Sequence, residues 1–295
     1  MWFKRSNIKL SIIVIVFNME REARRTLHSL TKEYQKDVSN LNYEVLVIDN
    51  GSDAPLGEEF VKSYGSYFSY YYLDNPPPSP AYAINFGVEK SRGEFVCIVI
   101  DGAHMLTPGV LKYFQYASGM FENPVVTLRY WFLGPGQQGE TLFNGYNTTE
   151  EDKLLDRINW PSDGYRLFEI GVFIGINNPN WFTRFFESNY LFIRKTLFYG
   201  IGGANRQFDI AGGGFLNLDL LRECTRVEGI TLVSILGEAS FHQVHGGTTT
   251  NVSAEEREAK VAIYRQQYLR IRGEEYSVPT APIQYIGHMP PQALV

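Results

Sequence analysis

Three times before residue 101 the chain passes from a short apolar or aromatic run to a segment with helical spacing, and nothing else in it narrows the fold as far. In Ser11-Ile-Ile-Val-Ile-Val-Phe17 every residue after the first is apolar, as a strand buried on both faces of a parallel sheet requires. From Glu20 to Tyr34, Ala23, Leu27, Leu30 and Tyr34 fall on one helix face. Tyr43–Ile48 and Leu56–Tyr64 repeat the pair, Tyr67–Leu73 and Pro80–Ser91 repeat it again, and Glu94–Ile100 gives a fourth strand. Such alternation predicts an α/β fold, with a doubly wound, mostly parallel central sheet and right-handed crossovers.

Ligands of such sheets bind beyond the carboxyl ends of the strands. The residues there are Phe17, Asn18 and Glu20 after the first strand, Asp49-Asn50-Gly51-Ser52-Asp53 after the second, and Asp101-Gly102-Ala103-His104 after the fourth. A single Asp in that place serves equally as a turn cap. Two at matching topological positions point to a ligand site. No Gly-x-Gly-x-x-Gly follows the first strand and no Gly-Lys-Ser/Thr loop occurs, so the usual dinucleotide and P-loop cradles are excluded.

Together, Ser11-Ile-Ile-Val-Ile-Val-Phe-Asn-Met-Glu20, Val45-Leu-Val-Ile-Asp-Asn-Gly-Ser52, Ala83-Ile-Asn-Phe-Gly87 with Gly93-Glu-Phe-Val96, and Ile98-Val-Ile-Asp101 resemble family 2 glycosyltransferases of the GT-A fold. The resemblance covers residues 9–112 and continues more weakly to about 225. It implies a Rossmann-like nucleotide-binding half, a loop-rich acceptor region and hexosyltransferase-like activity. Phe17, Asn18, Glu20 and Asp49 would hold the base and ribose of a nucleotide sugar, with Asn50, Asn85, Asp101, Gly102 and Ala103 completing the set. Asp101 would open an Asp-x-Asp-like motif that holds a divalent cation, Mn²⁺ or Mg²⁺, on the donor diphosphate.

A departing nucleoside diphosphate develops negative charge, which a cation held by carboxylates stabilises as a Lewis acid. Here the motif is degenerate, because Ala103 occupies the second acidic position and His104 the next. Ser240-Phe-His-Gln-Val-His-Gly-Gly247 offers His242 and His245. By the same resemblance His245 is the better match to a late metal-binding histidine, and imidazole suits Mn²⁺ better than Mg²⁺. Loop histidines bonded to backbone are the alternative, and His104 reads as a turn residue.

Family members place an acidic pair at the start of a late helix, whose Asp takes the acceptor proton in inverting enzymes. Phe215-Leu216 or Leu216-Asn217 stands there instead. Asp219, then Asp209, then Glu187 compete for the role, against solvated, packed or turn-capping alternatives. The Gly212–Gly214 triplet either admits substrate close to the backbone or permits positive φ.

The middle of the chain, about 125–186, loses the alternation. Asn159-Trp-Pro-Ser-Asp-Gly-Tyr165 and Asn177-Asn-Pro-Asn-Trp181 read as loops, and Trp160, Tyr165 and Trp181 either stack on a sugar or pack. Glu187–Ile193 returns to strand, Ala254–Arg270 is a helix, and the proline-bearing end is an extended arm. Within that arm Tyr285-Ile-Gly-His288 covers either the site or a neighbouring subunit. The domain expectation is a single unit over 1–250, with 9–112 binding nucleotide sugar and 113–250 the acceptor, followed by a helix and arm over 251–295.

Composition sets limits. A net charge of −5 argues against nucleic acid, and the basic residues Lys4, Arg5 and Lys9 are too few to reverse that. Cys97 and Cys224 form no disulfide or metal framework. Leu10–Phe17 is far too short to span a bilayer and no cleavable leader precedes it, so the expected location is cytoplasmic, with peripheral membrane association left open. The Asn147 and Asn251 sequons then read as chance. Expected partners are a UDP-, GDP- or dTDP-linked sugar and a saccharide or lipid-linked acceptor, in surface polysaccharide or glycoconjugate synthesis. Two alternatives stand: a non-catalytic nucleotide-sugar-binding protein, favoured by the missing acidic residues, and a nucleotidyltransferase, which would want a Gly-rich basic loop where Phe17-Asn-Met-Glu20 stands.

Overall fold

The computed structural model describes residues 8–175, 179–185 and 187–294. Lys4, Arg5, Asn177 and Asn178, named above, lie outside them. The first half runs β1 (Leu10–Val16), α1 (Glu20–Ser29), β2 (Tyr43–Asp49), α2 (Glu58–Lys62), β3 (Phe68–Tyr72), α3 (Ala81–Lys90), β4 (Phe95–Val99), β5 (His104–Leu106) and α4 (Val110–Met120). The second runs β6 (Pro124–Leu133), α5 (Gln138–Thr141), α6 (Thr148–Arg157), β7 (Gly171–Phe173), β8 (Leu191–Arg194), α7 (Lys195–Gly200), α8 (Leu216–Arg226), β9 (Thr231–His242), α9 (Ala254–Arg272) and β10 (Ile283–Gly287).

The doubly wound α/β expectation holds. The main sheet has the order β10-β9-β6-β8-β4-β1-β2-β3, and β1, β2, β3 and β4 pair in parallel. Side-chain alternation divides the core into two layers. Leu10, Ile12, Val14 and Val16 of β1 pack with Ala23 and Leu27 of α1 and Phe114 of α4. Ile13 and Ile15 pack on the opposite face with Ile84 of α3 and Leu220 of α8. A Cβ at Gly87 would collide with Ile13, so glycine lets α3 lie directly on β1.

Along that order β8 breaks the parallel pattern, as do the short β5 and β7, which pair antiparallel with β9 and β6 off the main path. β8 runs antiparallel to both β4 and β6 and so joins the 3-2-1-4 block to a second parallel block formed by β6, β9 and β10. All the parallel strands therefore end on one edge of the sheet, and β8 begins on that same edge.

Several element boundaries differ from expectation. α1 stops at Ser29, because Tyr34 turns back to donate to the Leu106 carbonyl at 2.7 Å and Gln35 donates to that of Ser29 at 2.8 Å. β8 starts at Leu191, since Ser188 is taken up by Thr127 at 2.6 Å and by the Tyr190 carbonyl at 2.8 Å. The C-terminal arm is neither a cover for the site nor free: its Ile283–Gly287 segment adds a parallel edge strand to β9.

The loop aromatics pack. Trp181 lies 6.1 Å from the buried Trp131 ring and donates its indole N–H to Ala293 at 3.1 Å, while Trp160 sits against His28 and Tyr34. Tyr165 donates to Glu238 at 2.7 Å. Asn147 caps α6, accepting from the backbone of Thr149 and Glu150. Among the described residues no helix is long and apolar enough to cross a membrane.

Candidate active site

A cleft of about 1610 Å³ lies along the edge where the parallel strands end and β8 begins. Single small ligands occupy roughly 300–1,000 Å³, so this cleft has room for two side by side. Its centre is Asp101, two residues beyond β4. A Cβ at Gly102 would lie 2.7 Å from Val16 and 2.9 Å from the Ile15 carbonyl. Glycine thus lets the turn press onto β1 and fixes where Asp101 points.

The Asp101 Oδ1 atom accepts from the backbone N–H of Ala103 at 2.9 Å, which leaves Oδ2 for the histidines. His245 Nε2 lies 3.1 Å from Oδ2, His242 Nε2 lies 3.5 Å from it, and the two imidazole nitrogens are 3.0 Å apart. His104 completes the group: Asp101, His104 and His242 each place a ligand atom within 4.8 Å of the others. β9 supplies His242 directly opposite His104 of β5. His104, expected as a turn residue, is therefore a buried strand residue of this cluster.

Neighbouring groups fix the histidines. Gln138 Oε1 lies 2.7 Å from His242 Nδ1, leaving Nε2 as the nitrogen that faces Asp101. Gln243 holds the Ala103 carbonyl through its backbone N–H at 3.0 Å and its side chain at 3.2 Å. The buried Glu151 accepts from Val244 N–H at 2.8 Å, and Arg21 bonds Glu151 and Asp152 at 3.1 and 2.6 Å. Burial alone would raise the Asp101 carboxyl, but His245 and His242 outweigh it and hold it well below the usual range. Burial pushes His104 well below its ordinary value, with His242 adding to the effect, and it lowers His242 as well. For His245, burial is overcome by Asp101 and the imidazole is raised.

The carboxylate and two imidazoles of Asp101, His104 and His242, with His245 beside the same carboxylate, fit a borderline divalent cation such as Mn²⁺ better than Mg²⁺, which prefers oxygen ligands. The secured Nδ1 of His242 is the outer-shell support that such ligands ordinarily have.

The remaining predicted residues separate into two sets. Phe17 and Asn50 line the cleft with Asp101. Asp49, Asn18, Glu20, Asn85, Gly102 and Ala103 are not among its lining residues, and each has a structural reason. Asp49 is fully buried, accepting from Ser52 N–H and Tyr70 O–H, both at 2.8 Å. Asn18, at φ 49°, exchanges hydrogen bonds with Asp53 at 2.8 Å each way, and it is Asp53 that reaches the cleft. Glu20 pairs with Arg24 at the surface. Asn85 pins the Ala204 turn at 2.7 and 3.0 Å. Ala103 is fully buried beneath Gln243.

The structure separates the three proton-acceptor candidates. The Asp219 carboxylate is gripped by the Arg272 guanidinium at 2.7 and 2.6 Å, and Asp209 is exposed and bonded to Gln267 at 2.8 Å. Neither lines the cleft. The third candidate, Glu187, does line it. Its carboxylate accepts from Tyr130 O–H on β6 and from Asn217 Nδ2 on α8, the latter at 2.6 Å. Burial raises the Glu187 carboxyl above its ordinary value, opposed by those two bonds and by Arg257. Gly212, Gly213 and Gly214 all have positive φ, at 75°, 83° and 56°, and α9 roofs the cleft with Arg257, Tyr264 and Arg265.

No motif in the sequence marks Gln138 or Tyr130, and Asn217 enters there only as a residue standing where an acidic pair is expected. Only the alternation of Tyr130 with Phe132 along a buried strand hinted that both face one way.

A family model described as glycosyl transferase family 2 matches residues 11–174, more than half of the chain. Solved structures of S. aureus TarS share the fold. The TarS 1-349 fragment in complex with UDP-GlcNAc aligns at TM-score 0.56 and 15% identity over 89% of this chain and 67% of that one, and its complex with UDP at 0.55 and 15% over 89% and 66%. Against the longer TarS structure the values are 0.55 and 14%, and the chain spans 40% of its length. At these identities the likeness establishes the GT-A fold alone. No curated protein matches the chain.

Proposed function

The chain belongs to glycosyl transferase family 2, and from that premise we propose that it moves a sugar from a nucleoside-diphosphate sugar to an acceptor hydroxyl, with inversion, in surface polysaccharide or glycoconjugate synthesis. The observation that carries the reading is the convergence of Asp101, His242 and His245 at the end of β4, in a cleft sized for donor and acceptor together. Asp101, His242, His245 and His104 would hold a divalent cation, which when bound supplies Lewis-acid stabilisation to the leaving diphosphate.

The chain's own residues orient the donor. Phe17 is half-exposed at the mouth of the cleft and offers a ring face to a nucleobase, and Asn50 and Asp53 supply polar groups beside it. The β1–β3 end, within 9–112, thus takes the nucleotide, and the wall built by β6, β8 and α8 takes the acceptor.

The test is a panel of UDP-GlcNAc, UDP-glucose, GDP-mannose and dTDP-glucose, each with and without Mn²⁺, read by thermal shift and by release of the nucleoside diphosphate. Expected are a Mn²⁺-dependent shift with one donor, its loss in His245→Ala, and slow donor hydrolysis abolished by Asp101→Asn. Tight binding with no turnover against water or any acceptor would make the protein a nucleotide-sugar binder and overturn the proposal.

A further inference from the structure

We propose that Glu187 is the general base of this protein, so that the proton-abstracting carboxylate stands at the amino end of β8 and not on the helix where the sequence led one to look. The inference rests on the transferase reading above. Its basis is a juxtaposition of three elements: β6 brings Tyr130, α8 brings Asn217, and the chain entering β8 brings Glu187 between them. All three line the cleft.

Asn217, in the first turn of α8, falls within the Phe215–Asn217 stretch where the resemblance calls for an acidic pair. An amide there cannot abstract a proton, but its Nδ2 donates to Glu187 Oε2 at 2.6 Å and so holds the carboxylate that can. Tyr130 donates to the other oxygen. Each carboxylate oxygen keeps a second lone pair. The groups that face Glu187 are Tyr130 from β6, Asn217 from α8, Arg257 from α9 and Tyr276 beyond it. Arg257 and both hydrogen bonds favour the ionised form that a base needs, while burial keeps its affinity for a proton high. Of the other two carboxylates named for the role in the sequence, Asp219 is held by Arg272 and Asp209 by Gln267, both outside the cleft.

In the step itself the acceptor oxygen forms its bond to the anomeric carbon as its proton passes to the Glu187 carboxylate. The bond from that carbon to the diphosphate oxygen breaks, and the nucleoside diphosphate leaves with the electron pair. With water as acceptor the products are free sugar and nucleoside diphosphate. Tyr130 and Asn217 are positioning residues.

The experiment uses the full chain with Mn²⁺ and the donor panel named above. In Glu187→Gln donor binding stays within threefold of the parent, while donor hydrolysis falls by about 10²–10⁴-fold, the range of a general base. The acid limb of the parent pH profile lies above the ordinary glutamate value of about 4.3. The rate falls as pH drops through it, and this limb vanishes in the variant. Tyr130→Phe removes a bond to the charged form, so its acid limb moves to higher pH, a shift that a merely structural role would not produce. In Glu187→Ala, azide, an anion that needs no deprotonation, restores donor consumption at least tenfold and yields the glycosyl azide. Hydrolysis by Glu187→Gln within threefold of the parent, with the acid limb intact, overturns the assignment and leaves the transferase reading standing. A parent protein that turns over none of the four donors overturns that reading and this assignment with it.

Discussion

Asp49 and Asp101 look alike in the sequence, each closing a run of buried aliphatics, yet the structure uses them in opposite ways. Asp49 sits between β1 and β3, in register with Val16 and Tyr72, and both of its oxygens are taken, by Ser52 N–H and Tyr70 O–H. Asp101 spends one oxygen on the Ala103 N–H and turns the other towards two histidines in the open cleft. Topology brings a carboxylate to the edge of the sheet. The donors around it then decide whether it becomes a turn cap or keeps an oxygen facing the cleft.

The contrast is open to attack by substitution. Asp101→Asn should lower donor turnover by about 10³-fold, the upper end of the loss seen when one charge-stabilising group is removed. Steady-state kinetics with Mn²⁺ would show it, and a change under tenfold would erase the distinction. Restoring the second acid of the motif should fail. Ala103→Asp would bury a charge beneath Gln243 and cost ~3 kcal/mol of stability in urea unfolding, with no gain in metal binding. Asp49→Asn replaces a doubly hydrogen-bonded carboxylate and should cost about 2 kcal/mol in the same assay while turnover stays within threefold. Were its turnover to fall as far as that of Asp101→Asn, the two aspartates would share a role after all. Smallest is Gln138→Ala, which frees His242 Nδ1 and should weaken Mn²⁺ by roughly tenfold, read as a displaced thermal-shift titration.

Much of the fold was legible because buried parallel strands are written as unbroken aliphatic runs. Ile12 to Val16 and Val45 to Ile48 leave no other assignment, and they bury on both faces as expected. The position of Asp101 at the sheet edge was legible for the same reason, since it ends such a run; His245, named there through the family resemblance, lies 3.1 Å from its carboxylate. Asp219 misled because its partner, Arg272, lies 53 residues away on a helix whose packing no local pattern reveals. The burial of Asp49 was hidden because Tyr70, which closes over it, belongs to a strand written almost entirely in aromatics. His104 was misjudged because three residues are too few to show a strand, and only pairing with β9 makes β5 one. Ala103 looked like a lesion in a metal motif, yet its side chain points into the core and the histidines stand in the cleft instead.

The backward run of β8 has a further consequence. A sheet whose strands all pointed one way would offer its edge only segments that are leaving the sheet. Here one end of the cleft is built by segments leaving β1, β2 and β4, and the opposite wall includes a segment arriving at β8, more than 80 residues further along the chain. The two halves of the cleft are therefore written in separate stretches of the gene. Changes in the segment before β8 would reshape one wall of the cleft while the other kept its form.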